Sequence, residues 1–495
     1  MYFSSNLEFI PAFFHIHYSN YDEKIKKNLL DEIYQEYTDS TFTDIEVEQI
    51  FFELKYGNFK EIIDLKFLNS YRGRIFSIDQ LVKKKIKIHY LEKANCIEVI
   101  STIRDSKCLM CSSKNLYSYY ASFDKITYCL DCIDFGISKS NEIRFLINNY
   151  KNEPCHFTIP SIALSDQQKI ASDLLVENSK ANKSSLIWAV CGAGKTEIIY
   201  KLISNYLKEN KIICLAIPRK DIVNELASRI KKDFSLEINL LHGDDKKLLG
   251  SNFYIMTCHQ LFHYYKFFDL IIVDEVDAFP YNGNDVLEYG MKKALKDQAP
   301  LIFLSATPSK KIKKSVDSVY KLPIRYHGNL LPVPNLKIHK DFNKNIFSTN
   351  ILNTLDKIIR FSTNKNRRLL IFVPTIKIGE ELAKSTAYNF VSSKTENRND
   401  LIEGFRNKKF NVLITTTILE RGLTFDYLDI VVFHSSHKTF SKEALIQISG
   451  RVGRKAYDPS GSIIFYSGEH TKAIKSAIKE IKYMNELAKY RKLVK

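Results

Sequence analysis

Short apolar runs recur through the C-terminal two-thirds of the chain, each ending in small or polar residues: SLIWAV (185–190), FDLIIVDE (268–275), LIFLSAT (301–307), LLIFVP (369–374) and NVLITTT (411–417). Four to six apolar residues without polar alternation read as a strand buried on both faces, the pattern of a parallel sheet. AIPRKDIVNEL (216–226) and IMTCHQL (255–261) add two further strand ends. Elsewhere the apolar spacing lengthens to the helical period. LSDQQKIASDLL (164–175) predicts a helix with Ser165 or Asp166 as its cap, KTEIIYKLI predicts one from Lys195, and SKEALIQIS predicts one that stops at Gly450. The last stretch, from Thr471, predicts an amphipathic helix with Ile474, Ile478, Ile481 and Leu487 on one face and eight basic against two acidic residues, packed on the second lobe. Strand and helix in alternation predict an α/β chain with two doubly wound parallel sheets.

At 495 residues the chain has room for about three domains. The expected organisation is an N-terminal α/β region of open role over 1–104, a four-cysteine module over 105–136, a first lobe over 155–330 and a second over 331–495, joined at the proline-marked LPVPN (331–335). The formal charge of +17 is uneven: residues 1–150 hold 19 Lys and Arg against 21 Asp and Glu, so the excess travels with the two lobes. A basic motor suits a phosphate backbone, although mild basicity also serves solubility. Residues 1–50, with three Lys against ten acidic residues, point away from nucleic acid. MYFSSNLEFIPAFFHIHY lacks a basic segment before its apolar residues, and the uncharged run 248–265 is interrupted by polar residues. A cytoplasmic protein without a membrane span is expected, and in that compartment nine cysteines do not read as disulfides.

The candidate chemistry sits at the ends of the predicted strands. AVCGAGKT (189–196) is strand, glycine turn and helix start. The amides of Gly192, Ala193 and Gly194 are expected to wrap phosphates, with Lys195 on the β and γ oxygens of ATP and the Thr196 hydroxyl on Mg²⁺. Ala189 stands where glycine is usual, and this loop alone would give binding without hydrolysis. DEVD (274–277) supplies the rest: Asp274 for Mg²⁺, Glu275 as general base for the attacking water, and Asp277 as a link to the second lobe. Gln168 is a candidate reader of the adenine edge, with a solvent-facing glutamine as the other reading. Ser305-Ala306-Thr307 suits a hydrogen-bonded hinge. In QISGRVGR (447–454), Gln447, Arg451 and Arg454 complete the catalytic set, the two arginines placed to neutralise charge on the γ-phosphate. Arg219, Thr257 and His259 are candidate phosphate-backbone contacts in the first lobe, and Thr415, Thr416, Gly422 and Thr424 are expected to couple nucleic acid to nucleotide in the second.

Cys108, Cys111, Cys129 and Cys132 form two CxxC knuckles 17 residues apart. Four thiolates close a tetrahedral shell, so the spacing predicts a structural Zn²⁺ without a catalytic position. A redox pair would need only one knuckle. Around them lie Lys107, Lys114 and Lys125 with Tyr117, Tyr119, Tyr120 and Phe123, which read either as a stacking surface for bases or as the core of a miniature domain.

VDEVDAFPY (273–281), HGNLLPVP (327–334), TTTILERGLTF (415–425), LIQISGRVGR (445–454) and the cysteine module together resemble the ComFA family of late-competence ATPases of transformable Gram-positive bacteria, superfamily-two DNA translocases. The resemblance covers about residues 105–485. It implies two RecA-like lobes behind a zinc ribbon, ATP, Mg²⁺ and Zn²⁺ as the groups bound, and single-stranded DNA as the track. It also implies a peripheral place at the inner face of the membrane and, as partners, the ComEC channel, ComFC and DprA. The rival enzyme is a replication-restart helicase of the PriA type, whose cysteines fall between motor elements, whereas here all four precede Ala189. An ATP-gated scaffold would have lost Lys195, Glu275 or Arg454, and an RNA helicase is distinguished by nothing in these motifs.

Overall fold

A computed structural model describes residues 71–77, 80–81, 97–121, 124–136, 138–148, 154, 156–243, 245–249, 251–277, 285–419 and 424–494. Packing divides them into two compact units. One holds the residues up to Pro160 with Ile203–Asp274 and Ala278–Ile302, and the other holds Ser161–Leu202, Glu275–Asp277 and Phe303–Lys495.

The chain first makes β1 (Ile75–Phe76), β2 (Ile97–Ser101), a hairpin of β3 (Ile103–Arg104) and β4 (Lys107–Cys108), and a second hairpin of β5 (Leu116–Ala121) and β6 (Asp124–Cys129). β7 (Ile143–Ile147) then returns antiparallel between β1 and β2. The cysteine hairpins are thus an excursion from a small sheet whose strands lie on both sides of them in sequence.

The first large sheet follows. Its elements are α1 (Asp166–Lys180), β8 (Ser185–Ala189), α2 (Lys195–Ile198), α3 (Tyr200–Lys208), β9 (Ile213–Ile217), α4 (Lys220–Phe234), β10 (Asn239–His242), β11 (Asp245–Lys247), β12 (Phe253–Thr257), β13 (Leu270–Asp274), α5 (Asp285–Ala294), β14 (Leu301–Ser305), α6 (Lys310–Lys314) and β15 (Ser318–Leu322). The strand order is β11-β10-β12-β9-β13-β14-β8-β15; β11 is antiparallel to β10, while β10, β12, β9 and β13 run parallel, as do β8 and β15. Burial on both faces explains the unbroken apolar runs: every residue of β8, β9, β12 and β14 is buried. Helix α1 begins where the sequence predicts. Ser165 caps it, and the Ser165 and Gln168 side chains reciprocally bond each other's backbone N–H, a capping box. The helix predicted from Lys195 breaks at Ile199 into α2 and α3.

The second sheet is parallel throughout, in the order β16-β21-β20-β17-β19-β18. It comprises β16 (Asn335–Ile338), α7 (Thr349–Asn364), β17 (Arg368–Phe372), α8 (Ile376–Thr386), β18 (Asn389–Val391), α9 (Arg398–Arg406), β19 (Val412–Thr415), β20 (Leu428–Phe433), α10 (Lys442–Ser449), β21 (Ile463–Ser467) and α11 (Lys472–Tyr490). Its core joins Leu369, Ile371, Ile414, Val431 and Phe433 of the strands to Ile351, Leu355 and Leu382 of the helices. α11 buries Ile474, Ala477, Ile481, Met484, Asn485 and Ala488. The expected stripe shifts because Ala477 and Ala488 allow close approach, leaving Ile478 and Leu487 half-buried at its edge. Asn485 fixes this helix further, exchanging hydrogen bonds of 3.0 and 2.8 Å with the Leu331 backbone.

Candidate nucleotide site and zinc centre

The strand ends carry the predicted residues. After β8 the backbone turns through Gly192 and Gly194, both with φ in the left-handed region, and Lys195 and Thr196 open α2. A Cβ on Gly194 would clash with the Gln168 amide, so glycine is required there for two reasons. Gln168 itself is buried. Its Nε2 donates to the Ala193 carbonyl at 2.9 Å and its Oε1 accepts from Ser165 N–H at 2.9 Å. The amide expected at an adenine edge therefore braces the phosphate loop in this structure.

Asp274 closes β13, and Glu275 follows with φ of 54°, a left-handed conformation uncommon outside glycine. Asp277 is buried and its carboxylate accepts three hydrogen bonds: from Ser305 Oγ at 2.6 Å, Thr307 Oγ1 at 2.7 Å and Gln447 Nε2 at 3.1 Å. Thus the link expected of Asp277 and the hydroxyls of the predicted hinge form one network. Gln447 extends it, since its Oε1 accepts from Cys191 Sγ at 3.2 Å.

Helix α10 is capped by Ser441 and ends at Ser449, so Arg451 and Arg454 sit in the turn that follows. A Cβ on Gly450 would run into Cys191, so only glycine lets this turn lie against the phosphate loop. Arg454 donates to Thr424 Oγ1 at 3.2 Å and to the Gly450 carbonyl at 3.3 Å, while Arg451 is buried.

Sequence reasoning missed Arg325. It is 1% exposed, it lies against Gly192, and its guanidinium donates to the carbonyls of Val452, at 2.6 Å, and of Gly453. Burial pushes its pKa down to about 10; a Cys191 thiolate would act against this and Arg454 with it. No motif flags Arg325, which follows the apolar Leu322-Pro323-Ile324 without periodicity.

Of the candidate nucleic-acid contacts, Arg219 precedes α4 and His259 lies in the 3-10 turn Cys258–His263, both half-buried, and Thr416 is likewise half-buried. Thr257 and Thr415 are buried, and Thr415 Oγ1 donates to the Thr416 carbonyl at 3.2 Å. Gly422 lies outside the described residues.

Cys108, Cys111, Cys129 and Cys132 are all buried, and their sulfurs lie within 4.8 Å of one another, with Cys108–Cys132 at 3.6 Å and Cys111–Cys129 at 3.4 Å. A regular tetrahedron with metal–sulfur bonds of about 2.3 Å has sulfurs about 3.8 Å apart, so the four residues fit Zn²⁺. Hydrogen bonds from Cys111 and then Cys132 hold the Cys108 thiol down, and the same contacts with Cys108 push Cys111 and Cys132 up. Such a set ionises fully only with a cation among it. Nearby, burial pushes Lys293 down to about 8, which negative charge on Cys132, Cys108 and Cys111 opposes.

The centre is seated on neighbouring elements of its unit. Phe262 packs into the cluster of the four cysteines with Met110, Ile75 and Leu146. Lys293 of α5 donates to the Phe262 carbonyl at 2.8 Å, and its ammonium lies 4.4 Å from the ring centroid. Arg72, also fully buried, donates to the Ser251 carbonyl at 2.7 Å and to Asn252 Oδ1 at 2.8 Å. Nothing in the local sequence singles out Phe262 or Arg72.

Comparison with known proteins agrees with this architecture. Residues 161–310 match the family model described as "Type III restriction enzyme, res subunit" and residues 350–456 match "Helicase conserved C-terminal domain". Competence protein ComFA of Streptococcus pneumoniae is 35% identical, over 84% of this chain and 98% of that protein. Competence protein ComFA of Bacillus subtilis is 34% identical, over 83% of this chain and 92% of that protein. Replication restart protein PriA of Rickettsia felis is 26% identical over 44% of this chain and 36% of its own length. Among the described residues no helix is long and apolar enough to cross a membrane.

Proposed function

We propose, for a chain that belongs to the ComFA family of competence proteins and is an ATP-dependent helicase-type ATPase, that it moves along single-stranded DNA and helps draw transforming DNA into the cytoplasm. What carries this reading is the Asp277 carboxylate, whose three donors come from the hinge and from Gln447 of α10, the helix that leads into the glycine-arginine turn. Such a network gives hydrolysis a route to segments that grip the strand.

In this reading Gly192, Ala193 and Gly194 present amides to the phosphates, Lys195 meets the β and γ oxygens, and Glu275 orients and deprotonates the attacking water. Thr196 and Asp274 would hold Mg²⁺, which would supply positive charge against the phosphates. Arg451 and Arg454 stabilise the transition state, a task worth about 10³ to 10⁵ in rate for a single arginine finger. Arg454 must first leave Thr424, and Gln168 steadies the loop. Arg219, His259 and Thr416 are the half-buried members of the DNA-gripping set, with the buried Thr257 and Thr415 supporting their segments, and Gly422 couples nucleic acid to nucleotide. The four cysteines hold a structural Zn²⁺. The proposal extends to work at the inner face of the membrane with ComEC, ComFC and DprA, for which family resemblance is the support.

The test is ATP hydrolysis by the purified chain with no nucleic acid, single-stranded DNA, duplex DNA or RNA, with Glu275→Gln as control. Stimulation by single-stranded DNA alone is the expected result. Stimulation by RNA or forked duplex, or none, would favour the helicase or scaffold readings.

A further inference from the structure

Hairpin β5–β6 carries rings that the metal module does not need for its core. That core closes on the cysteines, Met110, Leu116 and the docked Phe262, and among the described residues it includes none of the hairpin tyrosines. Tyr117 is 53% exposed and Tyr119 is 37% exposed. The register places Tyr117 opposite Tyr128 and Tyr119 opposite Ile126, so the two-residue pleat puts all four on one face. The rings form a ladder, with centroids 5.5 Å apart for Tyr117–Tyr128 and 6.0 Å apart for Tyr119–Tyr128. An isolated bridge pairs Tyr128 with Lys139, which sets a cation at the edge of the same face.

The other face differs. There Ser118 and Thr127 share a hydrogen bond of 2.8 Å, and Tyr120 stands across from Lys125. Around the hairpin Arg104, Lys114 and Lys125 are exposed, while Asp131 is engaged by Ser113 Oγ at 2.7 Å and Asn115 Nδ2 at 2.8 Å. Contiguous exposed rings mark a surface that something covers, and a basic border selects a polyanion as the cover. Rings for π-faces beside cations for phosphates are the chemistry that binds single strands without regard to sequence.

We propose that the face bearing Tyr117, Tyr119 and Tyr128, with Lys139 at its edge, is a stacking platform for the bases of single-stranded DNA. The platform rests on the reading of single-stranded DNA as the substrate, and adds a contact outside both motor sheets.

The test uses the zinc-loaded full chain, a fluorescent oligothymidylate and anisotropy. Tyr117→Ala with Tyr119→Ala is expected to weaken binding about tenfold or more at unchanged zinc content, and Tyr117→Phe with Tyr119→Phe to retain affinity. Lys139→Ala should lower the slope of log Kd against log salt by about 0.7, whereas the tyrosine variants leave it unchanged. Photocrosslinking of 5-iodouracil DNA to the wild-type chain should place adducts on Tyr117 or Tyr119, independently of any variant's folding. Wild-type affinity in the alanine pair, or adducts exclusively elsewhere, overturns the platform while leaving the substrate reading intact. Failure of the wild-type chain to bind the oligonucleotide overturns both.

Discussion

The seat of the cysteine module and the turn that meets the phosphate loop are held by opposite kinds of contact. At the seat the contact is chiefly apolar: Phe262 enters the cysteine cluster beside Met110 and Leu146, and elsewhere in the same unit Tyr254, Tyr264, Phe267 and Phe268 form a buried aromatic group, mostly edge to face. At the turn it is polar: Asp277 takes three donors, Gln447 bonds on both sides, and Arg325 clamps two carbonyls. Apolar packing resists displacement because any shift opens a void. Buried hydrogen bonds of small hydroxyls and amides can be exchanged for others at little net cost, provided each group is satisfied again. On that difference the first region is expected to be rigid and the second to exchange its bonds during turnover.

Four variants would break or sharpen that contrast. The largest effect is expected for Cys108→Ser with Cys111→Ser, which should abolish zinc binding. Structural zinc contributes on the order of 10 kcal/mol in small domains, so limited proteolysis should cut within residues 97–147 and DNA binding should weaken. A double variant that keeps zinc and full DNA affinity would contradict the assignment. Lys195→Ala should lower ATP turnover about 10³-fold with little change in melting temperature. Phe262→Ala should destabilise by about 3 to 5 kcal/mol, seen as an early unfolding transition in denaturant, with modest change in turnover per folded molecule. The smallest effect is expected for Arg325→Lys, which retains the charge but not the two-carbonyl fork. About a tenfold fall in DNA-stimulated turnover at near-normal stability would mark the turn as a switch, whereas a large loss of stability with normal turnover would make it scaffold.

Much of the fold was legible because a parallel sheet writes itself locally. Each buried strand is a short apolar run, and its C-terminal end is where open α/β sheets place chemistry, so Lys195, Glu275 and Ser305 could be located without coordinates. The cysteine centre was legible from spacing alone. What stayed hidden depends on distant pairs: Arg325 meets Val452 across 127 positions and Arg72 meets Ser251 across 179. No period or motif encodes such contacts. The burial of Thr257 and Thr415 is likewise not legible, since whether a strand-final hydroxyl faces water depends on how the following turn folds back over it. Gln168 stands out in the sequence for its nearness to the phosphate loop, but its commitment to Ser165 and Ala193 needs the geometry of the cap.

Cys191 makes the turn observable by chemical labelling. Its thiol lies under Gly450 with 4% of the residue exposed, so a maleimide can react only when the phosphate loop and the glycine-arginine turn part. Burial pushes Cys258 up to about 12 and Cys214 well above the ordinary thiol range, which keeps both silent toward a thiolate-seeking reagent. In the zinc-loaded chain, alkylation at Cys191 would therefore act as a clock for how often the junction opens, readable by mass spectrometry on the unmodified protein.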